Sequence, residues 1–282
     1  MLAGIGLLLT PWSVFAGADA IHWLERMNRA MHSLDYEGRF VYQHGNTMEA
    51  MYLAHTVRDG VAREHLVSLT GNAREVIRDN NAVICIVPGS KAAKIDKRPA
   101  SKRLSPILSI KPEQLSQYYR FELGGRERVA GREAQVIRIA PVDELRYGYR
   151  LLLDTEHRLP LAAATFDMTG QRLSQVLFTE LKVGDEVTAP PPSLASQGEV
   201  SRTVRPRRPP QDKLSPRWSF ADIPPGFVMT LHRRRLVGAD EHELEHFVFS
   251  DGLASVSVYV EENQQDDGLD GASHMGVVNA VG

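Results

Sequence analysis

The sequence has a single cysteine, Cys85, in 282 residues. One thiol makes neither an internal disulfide nor a cysteine-rich zinc site, so cohesion has to come from packing. No apolar run reaches the roughly 18 residues of a membrane-spanning helix. Neither sign of charge prevails: Lys plus Arg total 33 and Asp plus Glu total 35, a net charge of -2. That balance gives no global attraction to nucleic acid. There is no G-x-S-x-G elbow, no Walker loop and no dinucleotide glycine pattern. The run Asp266-Asp267-Gly268-Leu269-Asp270 lacks a full set of calcium-loop ligands. What remains is ordinary, 43% hydrophobic and 24% charged, which describes a globular chain of one large or two modest domains.

Residues 1–16 read as an export signal. A short apolar core is followed by Pro11 and then Val14-Phe15-Ala16, with small residues at -3 and -1 of a cut after Ala16. No Lys or Arg precedes Arg26, so the basic start of such a signal is missing; a buried N-terminal helix is the competing reading. A periplasm-type compartment suits a chain with one thiol. From Asp19, a plausible N-cap, the spacing of Trp23, Met27, Ala30 and Leu34 predicts an amphipathic helix.

The period then changes to two. Phe40 to His44, Met48 to His55, Val61 to Leu69, Ala82 to Val87 and Ala92 to Asp96 read as an antiparallel meander, with Gly45-Asn46 as a hairpin turn. Pro112 opens a short helix to Tyr119. Strands resume at Phe121 to Leu123, Glu127 to Ala130, Ala134 to Ile139, Tyr147 to Leu153, Leu161 to Asp167 and Leu173 to Leu181. This predicts an α+β chain, mostly antiparallel β, with about ten strands in a long sheet curled around its helices. Residues 189–213 carry a Pro/Arg-rich linker (Pro190, Pro191, Pro192, Arg202, Arg205, Arg207, Arg208) with little to bury. A smaller β unit follows over 214–282, with strands at Phe227 to Leu236, Glu245 to Phe249 and Ala254 to Val260. Three strands make a thin core.

The sharpest motif is His242-Glu243-Leu244-Glu245-His246, a match to H-E-x-x-H. Zinc chemistry needs that motif on a helix. The following Phe247-Val248-Phe249 reads as strand, where residues four apart are separated by about 13 Å. No metal site is predicted. Cys85 reads as a buried, inert thiol within an apolar strand. Phe40, Tyr42, Met48, Met51 and Tyr52 are candidates to line a lipid cleft; ordinary sheet core is the alternative. Arg233, Arg234, Arg235, Phe247 and Phe249 form a basic and aromatic group beside the linker, a candidate partner surface; an exposed strand end is the alternative. No catalytic residue and no cofactor is assigned, so the chain reads as a binding protein rather than an enzyme.

Several segments in order resemble the RseB/MucB family of periplasmic sigma-E regulators. They are Trp23-Leu24-Glu25-Arg26-Met27, Tyr36-Glu37-Gly38-Arg39-Phe40-Val41-Tyr42, Glu75-Val76-Ile77-Arg78-Asp79, Arg146-Tyr147-Gly148-Tyr149-Arg150-Leu151 and Phe178-Thr179-Glu180-Leu181. In the second unit, Ile223-Pro224-Pro225-Gly226-Phe227 and Phe249-Ser250-Asp251-Gly252-Leu253-Ala254-Ser255-Val256-Ser257-Val258 continue the series. The resemblance implies a domain over 17–188 like the lipoprotein carriers LolA and LolB, an unclosed β-barrel wrapped on helices, and a smaller C-terminal β domain. It implies a negative regulator that binds the periplasmic domain of a membrane anti-sigma factor (RseA or MucA type), shields it from site-1 proteolysis and lets go when lipid or lipopolysaccharide binds. A lipid or lipoprotein carrier without a signalling role is the alternative, and homo-oligomerisation stays open. The family's pattern would run on beyond Val281-Gly282 through further strands, so the small domain is expected to be incomplete.

Overall fold

The computed structural model describes residues 13–79, 83–86, 94–96, 112–187, 216–237, 242–261, 272–275 and 278–281. The expected linker, 189–213, lies wholly outside them, and so do residues 1–12 of the expected export segment.

Helix α1 spans Ser13–Ser33, starting six residues before Asp19, which is exposed within the helix and caps nothing. Of the expected stripe, Met27 and Ala30 are buried, Trp23 is half-buried and Leu34 falls just past the last turn; Ala20, Leu24 and Met31 complete the buried face, while His22, Arg26 and Arg29 face water. The helix ends where Leu34 N donates to Ala30 O. Asp35 then takes over as a strand-side anchor: its carboxylate accepts Val57 N at 2.7 Å and pairs with Arg58. Burial pushes the Asp35 carboxyl up, but these donors outweigh it and hold the group below its ordinary range.

Eleven strands form one antiparallel sheet. The first meander comprises β1 (Tyr36–His44), β2 (Thr47–Arg58), β3 (Val61–Ser68), β4 (Glu75–Arg78), β5 (Val83–Ile86) and β6 (Lys94–Asp96). After helix α2 (Pro112–Leu115) come β7 (Tyr119–Val129), β8 (Arg132–Pro141), β9 (Gly148–Asp154), β10 (Pro160–Phe166) and β11 (Arg172–Val183). The spatial order β6-β5-β4-β3-β2-β1-β11-β10-β9-β8-β7 joins the two meanders through the β1–β11 pair and leaves β6 and β7 as the two ends. The sheet is therefore open, as expected. The seam requires Gly38: a Cβ there would overlap the Glu180 carbonyl oxygen and lie 2.9 Å from Phe178 ring carbons. The register slips by one residue beside it, between Arg39 and Phe40.

The short helix expected to run to Tyr119 stops at Leu115, and Tyr119 opens β7; two differences in the strands have local causes. Strand β4 is not predicted by the sequence, because Glu-Val-Ile-Arg is too short to show a period. The two segments around Gly124-Gly125 are one strand, β7, carrying an irregularity between Leu123 and Arg126. Cys85 is half-buried rather than enclosed, since β5 lies next to the terminal strand.

The inner face of the sheet closes on α1 and α2. Phe40, Met51, Leu53, Phe121, Ile137, Ile139, Leu151, Leu153 and Phe178 form one buried cluster with Leu24, Met27 and Leu115. A second sheet holds β12 (Val228–Val237), β13 (His242–Ser250) and β14 (Ser255–Glu261), ordered β12-β13-β14. Its own core is Phe227, Phe247 and Phe249, with the edge of Phe220 against both strand phenylalanines at 5.0 and 4.8 Å. A short hairpin, β15 (Ala272–Met275) with β16 (Val278–Val281), follows.

Candidate functional site: two surfaces and the junction between the sheets

The strand register sorts the candidate cleft residues. Phe40 pairs with Met51 across β1–β2, and Tyr42 lies two residues on, so all three share the face that carries the large core. Phe40 packs against Phe178 at 5.3 Å between ring centroids. Met48 and Tyr52 belong to the opposite face, since they pair with Gln43 and Arg39. Met48 is 64% exposed. Tyr52 is buried there with its hydroxyl donating to Glu37 at 2.9 Å, and Lys182 sits 3.3 Å from the same carboxylate. Burial, then the hydrogen bond to Glu37 and its charge, pushes the Tyr52 phenol up. A cleft on the inner face is thus left with Phe40, Tyr42 and Met51.

The candidate partner residues separate in the same way. Phe247 and Phe249 face inwards and form the core of the small sheet. Arg234 also turns inwards, and its Nε and Nη2 donate to Glu245 at 3.1 and 2.9 Å. Glu245 accepts from His232 at 2.7 Å as well. Burial pushes the Glu245 carboxyl up, but the His232 and Arg234 hydrogen bonds outweigh that and hold it below the ordinary glutamate range. Arg233 is exposed on the opposite face, across from His246. The Arg235 side chain lies outside the described residues. His246 stacks on Tyr259 at 4.2 Å, and Tyr259 is 57% exposed. His242 and His246 lie on one extended strand, as the sequence predicts, so the H-E-x-x-H spacing makes no zinc site. Asp154, Glu156 and His157 bring ligand atoms within 4.8 Å of one another. Asp154 already accepts His157 N at 2.8 Å and meets Arg132 at 3.5 Å, which is how a turn cap is held.

In the sequence, the residues that join the sheets stand out only as parts of longer segments. The side chains of Arg146, in the β8–β9 connection, and of Asp251, in the β13–β14 turn, are both fully enclosed; Arg146 Nε donates to Asp251 Oδ2 at 2.7 Å. Tyr119 Oη donates to the same oxygen at 3.1 Å. The other Asp251 oxygen caps its own turn, accepting Leu253 N at 2.8 Å and Ala254 N at 2.7 Å. Arg146 further donates to Asp143 and to the Pro225 carbonyl. Its guanidinium lies 4.5 Å from the Tyr118 ring centroid and 4.8 Å from that of Phe227, one ring from each unit. Burial, then the Asp251 charge, raises the Tyr119 phenol far above its ordinary value. Gly226, at φ +83°, rests against Tyr118 so closely that a Cβ would overlap the ring. Leu253 completes the junction by entering the core of the large sheet. A signal was available: two turns, Asp143-to-Arg146 and Ser250-to-Gly252, each carry a charge next to apolar residues. Only the fold brings the opposite signs together.

Two family models match this chain: the MucB/RseB N-terminal domain over residues 19–198 and the MucB/RseB C-terminal domain over residues 212–282. The sigma factor AlgU regulatory protein MucB of Pseudomonas aeruginosa is 33% identical over 245 residues, which is 86% of this chain and 75% of that protein. The sigma-E factor regulatory protein RseB of Escherichia coli K12 is 29% identical over 238 residues, 84% of this chain and 74% of that protein. The complex structure of Pseudomonas aeruginosa MucA/MucB superposes with a TM-score of 0.73 at 31% identity, covering 92% of this chain and 85% of that one. A crystal structure of MucB in complex with MucA(peri) superposes with a TM-score of 0.71 at 28% identity, again over 92% and 85%.

Proposed function

This chain belongs to the MucB/RseB family, and from that premise we propose that it is a periplasmic negative regulator of a sigma-E-type envelope-stress pathway. It binds the periplasmic domain of a membrane anti-sigma factor of the RseA or MucA type, shields it from the site-1 protease and releases it when lipid or lipopolysaccharide occupies the large sheet. The family is one of regulatory binding proteins, not enzymes. The observation that carries the reading is a similarity running through both units, to proteins named for sigma-factor regulation and to a relative solved with its anti-sigma partner. An open sheet with an apolar inner face suits an acyl ligand. On that face Phe40, Tyr42 and Met51 are the residues assigned to it. On the small sheet Arg233 keeps its place as a partner contact, and Phe247 and Phe249 support the surface from beneath.

The energetics set a condition. To move the protein from 1:99 to 99:1 in favour of release, lipid must bind the released form about 10⁴-fold, or roughly 5.5 kcal/mol, more tightly. The test is reconstitution: purified protein, the anti-sigma periplasmic domain and the site-1 protease, with and without a lipopolysaccharide fragment. Protection that the fragment abolishes is the expected outcome. Failure to retain the anti-sigma domain in a pull-down overturns the reading, and leaves a lipid carrier if acyl ligands still co-purify by native mass spectrometry. Arg233→Ala is expected to weaken the pull-down; unchanged affinity removes Arg233 from the contact.

A further inference from the structure

We infer that Arg146 and Asp251 are positioning residues of a latch that couples the filling of the large sheet's interior to the orientation of the small sheet. This rests on the lipid-release reading above and adds the route by which release would travel.

The latch sits at the end of a short mechanical chain. Leu115 of α2 is buried in the core of the large sheet, and α2 packs against α1. Tyr118 N donates to Leu115 O at 2.9 Å, so the turn after α2 is tied to it. Tyr118 and Tyr119 then supply the ring under Arg146 and the hydroxyl on Asp251. Val142 N donates to Tyr118 O at 3.0 Å, which ties in the β8–β9 connection carrying Asp143 and Arg146. Every contact by which the small sheet grips the large one named above meets this segment or the core beside it: Gly226 on Tyr118, Asp251 on Arg146 and Tyr119, Leu253 in the cluster.

The interior that an acyl chain would enter is filled by Leu24, Met27, Phe121, Ile137 and Leu151, all buried. A close-packed interior has to give way to admit such a ligand. The one-turn α2 has few hydrogen bonds to lose and is the element that yields at least cost. Moving it moves Tyr118 and Tyr119. A fully buried ion pair tolerates little displacement, because a buried charge left without its partner is strongly disfavoured. The latch therefore behaves as closed or open rather than gradually loosened, the property a release mechanism needs. Packing alone would have joined the sheets without any charge; the Arg146–Asp251 pair adds a definite orientation.

The test reads distance directly and needs no partner. In a Cys85→Ser background, Gln171→Cys on the large sheet and Glu261→Cys on the small sheet, both at exposed positions, carry spin labels for pulsed dipolar spectroscopy on the full chain. Without lipid, one narrow distance is expected. Titration with a lipopolysaccharide fragment should build a second, longer population. Tyr119→Phe removes one hydrogen bond to the latch carboxylate and keeps the ring; the midpoint of that titration should fall about fivefold, the equivalent of one net hydrogen bond. Asp251→Asn keeps the oxygen that caps the turn and removes the charge, so its midpoint should fall further still. A purely structural role would leave the midpoint where it is while lowering thermal stability. The inference is overturned if lipid leaves the distance unchanged, or if both variants titrate like the parent. The same samples show whether the anti-sigma domain is retained by the parent protein. Loss of retention there overturns the functional reading above, whereas the latch is decided by the distances.

Discussion

The two sheets solve the same problem with unequal means. The large one buries an apolar cluster that runs from α1 across most of its strands. The small one has Phe227, Phe247 and Phe249, closed from one side by Phe220. A core that small supplies little of the free energy needed to order a sheet. The small sheet makes up the difference with polar groups taken out of water and with loans from its neighbour. Glu245 is held by His232 and Arg234, Asp251 by Arg146 and Tyr119, and Leu253 is buried in the other unit's core. Apolar burial gives stability without much direction, whereas buried charge gives direction with little net stability. The large unit is accordingly a stable frame and the small unit an oriented appendage whose position depends on the frame.

The comparison breaks most sharply at Phe247, which is fully buried. Phe247→Ala should cost about 3–5 kcal/mol, more than a three-stranded sheet can spare. Fluorotryptophan NMR should show the Trp218 signal collapse to an unfolded position while the Trp23 signal stays native. Loss of both at once would mean that the small sheet props up the large one. The converse substitution, Leu24→Ala in α1, should cost about 2–5 kcal/mol. Here the two signals should melt together in chemical denaturation, because the small sheet leans on the core that Leu24 fills.

The same division explains what could be read from the sequence. Elements whose burial follows a local period were legible: the α1 stripe, the alternating strands, the Gly45-Asn46 hairpin, the extended character of His242 to His246. So was the family, because several short segments in the right order discriminate better than any one. The junction was not legible. Arg146 and Asp251 are 105 residues apart, and each looks like an ordinary turn charge until the fold buries both. The aromatic candidates needed tertiary information for a related reason. Phe247 and Phe249 alternate as any strand residues do, and their position on the inner face, under Phe220, is a tertiary fact. Met48 and Tyr52 fall on the other face from Phe40 because they pair with Gln43 and Arg39, each an odd number of positions from Phe40 along β1, a matter of register.

Two smaller perturbations refine the contrast. Gly38→Ala forces a methyl against the Glu180 carbonyl at the β1–β11 seam and should cost about 1–3 kcal/mol as an overpacking defect. The effect should appear as a lower denaturation midpoint of the large unit, with Trp218 following it. In the small unit, acid should act through Glu245. Its folded carboxyl titrates below the ordinary glutamate value of 4.5, so the unfolded chain takes up the proton more readily. The stabilisation is present above that value and is lost as pH falls through the folded one. The Trp218 signal should therefore become less stable relative to Trp23 below about pH 4.5, and Glu245→Gln should flatten that pH dependence.

The weakest expected effect tests whether exposure, rather than chemistry, separates the two kinds of ion pair. Arg39 and Glu180 also pair arginine with a carboxylate across distant sequence, but their side chains are 55% and 43% exposed, against 0% for both Arg146 and Asp251. Water and salt screen the exposed pair, and two long side chains lose freedom to make it. A double-mutant cycle of Arg39→Gln and Glu180→Gln should return a coupling of about 0–1 kcal/mol, shrinking further in high salt. A coupling well above that would show that the β1–β11 seam depends on charge to hold its register. The large sheet would then share the small sheet's reliance on oriented polar contacts, and the distinction between frame and appendage would have to be drawn from core size alone.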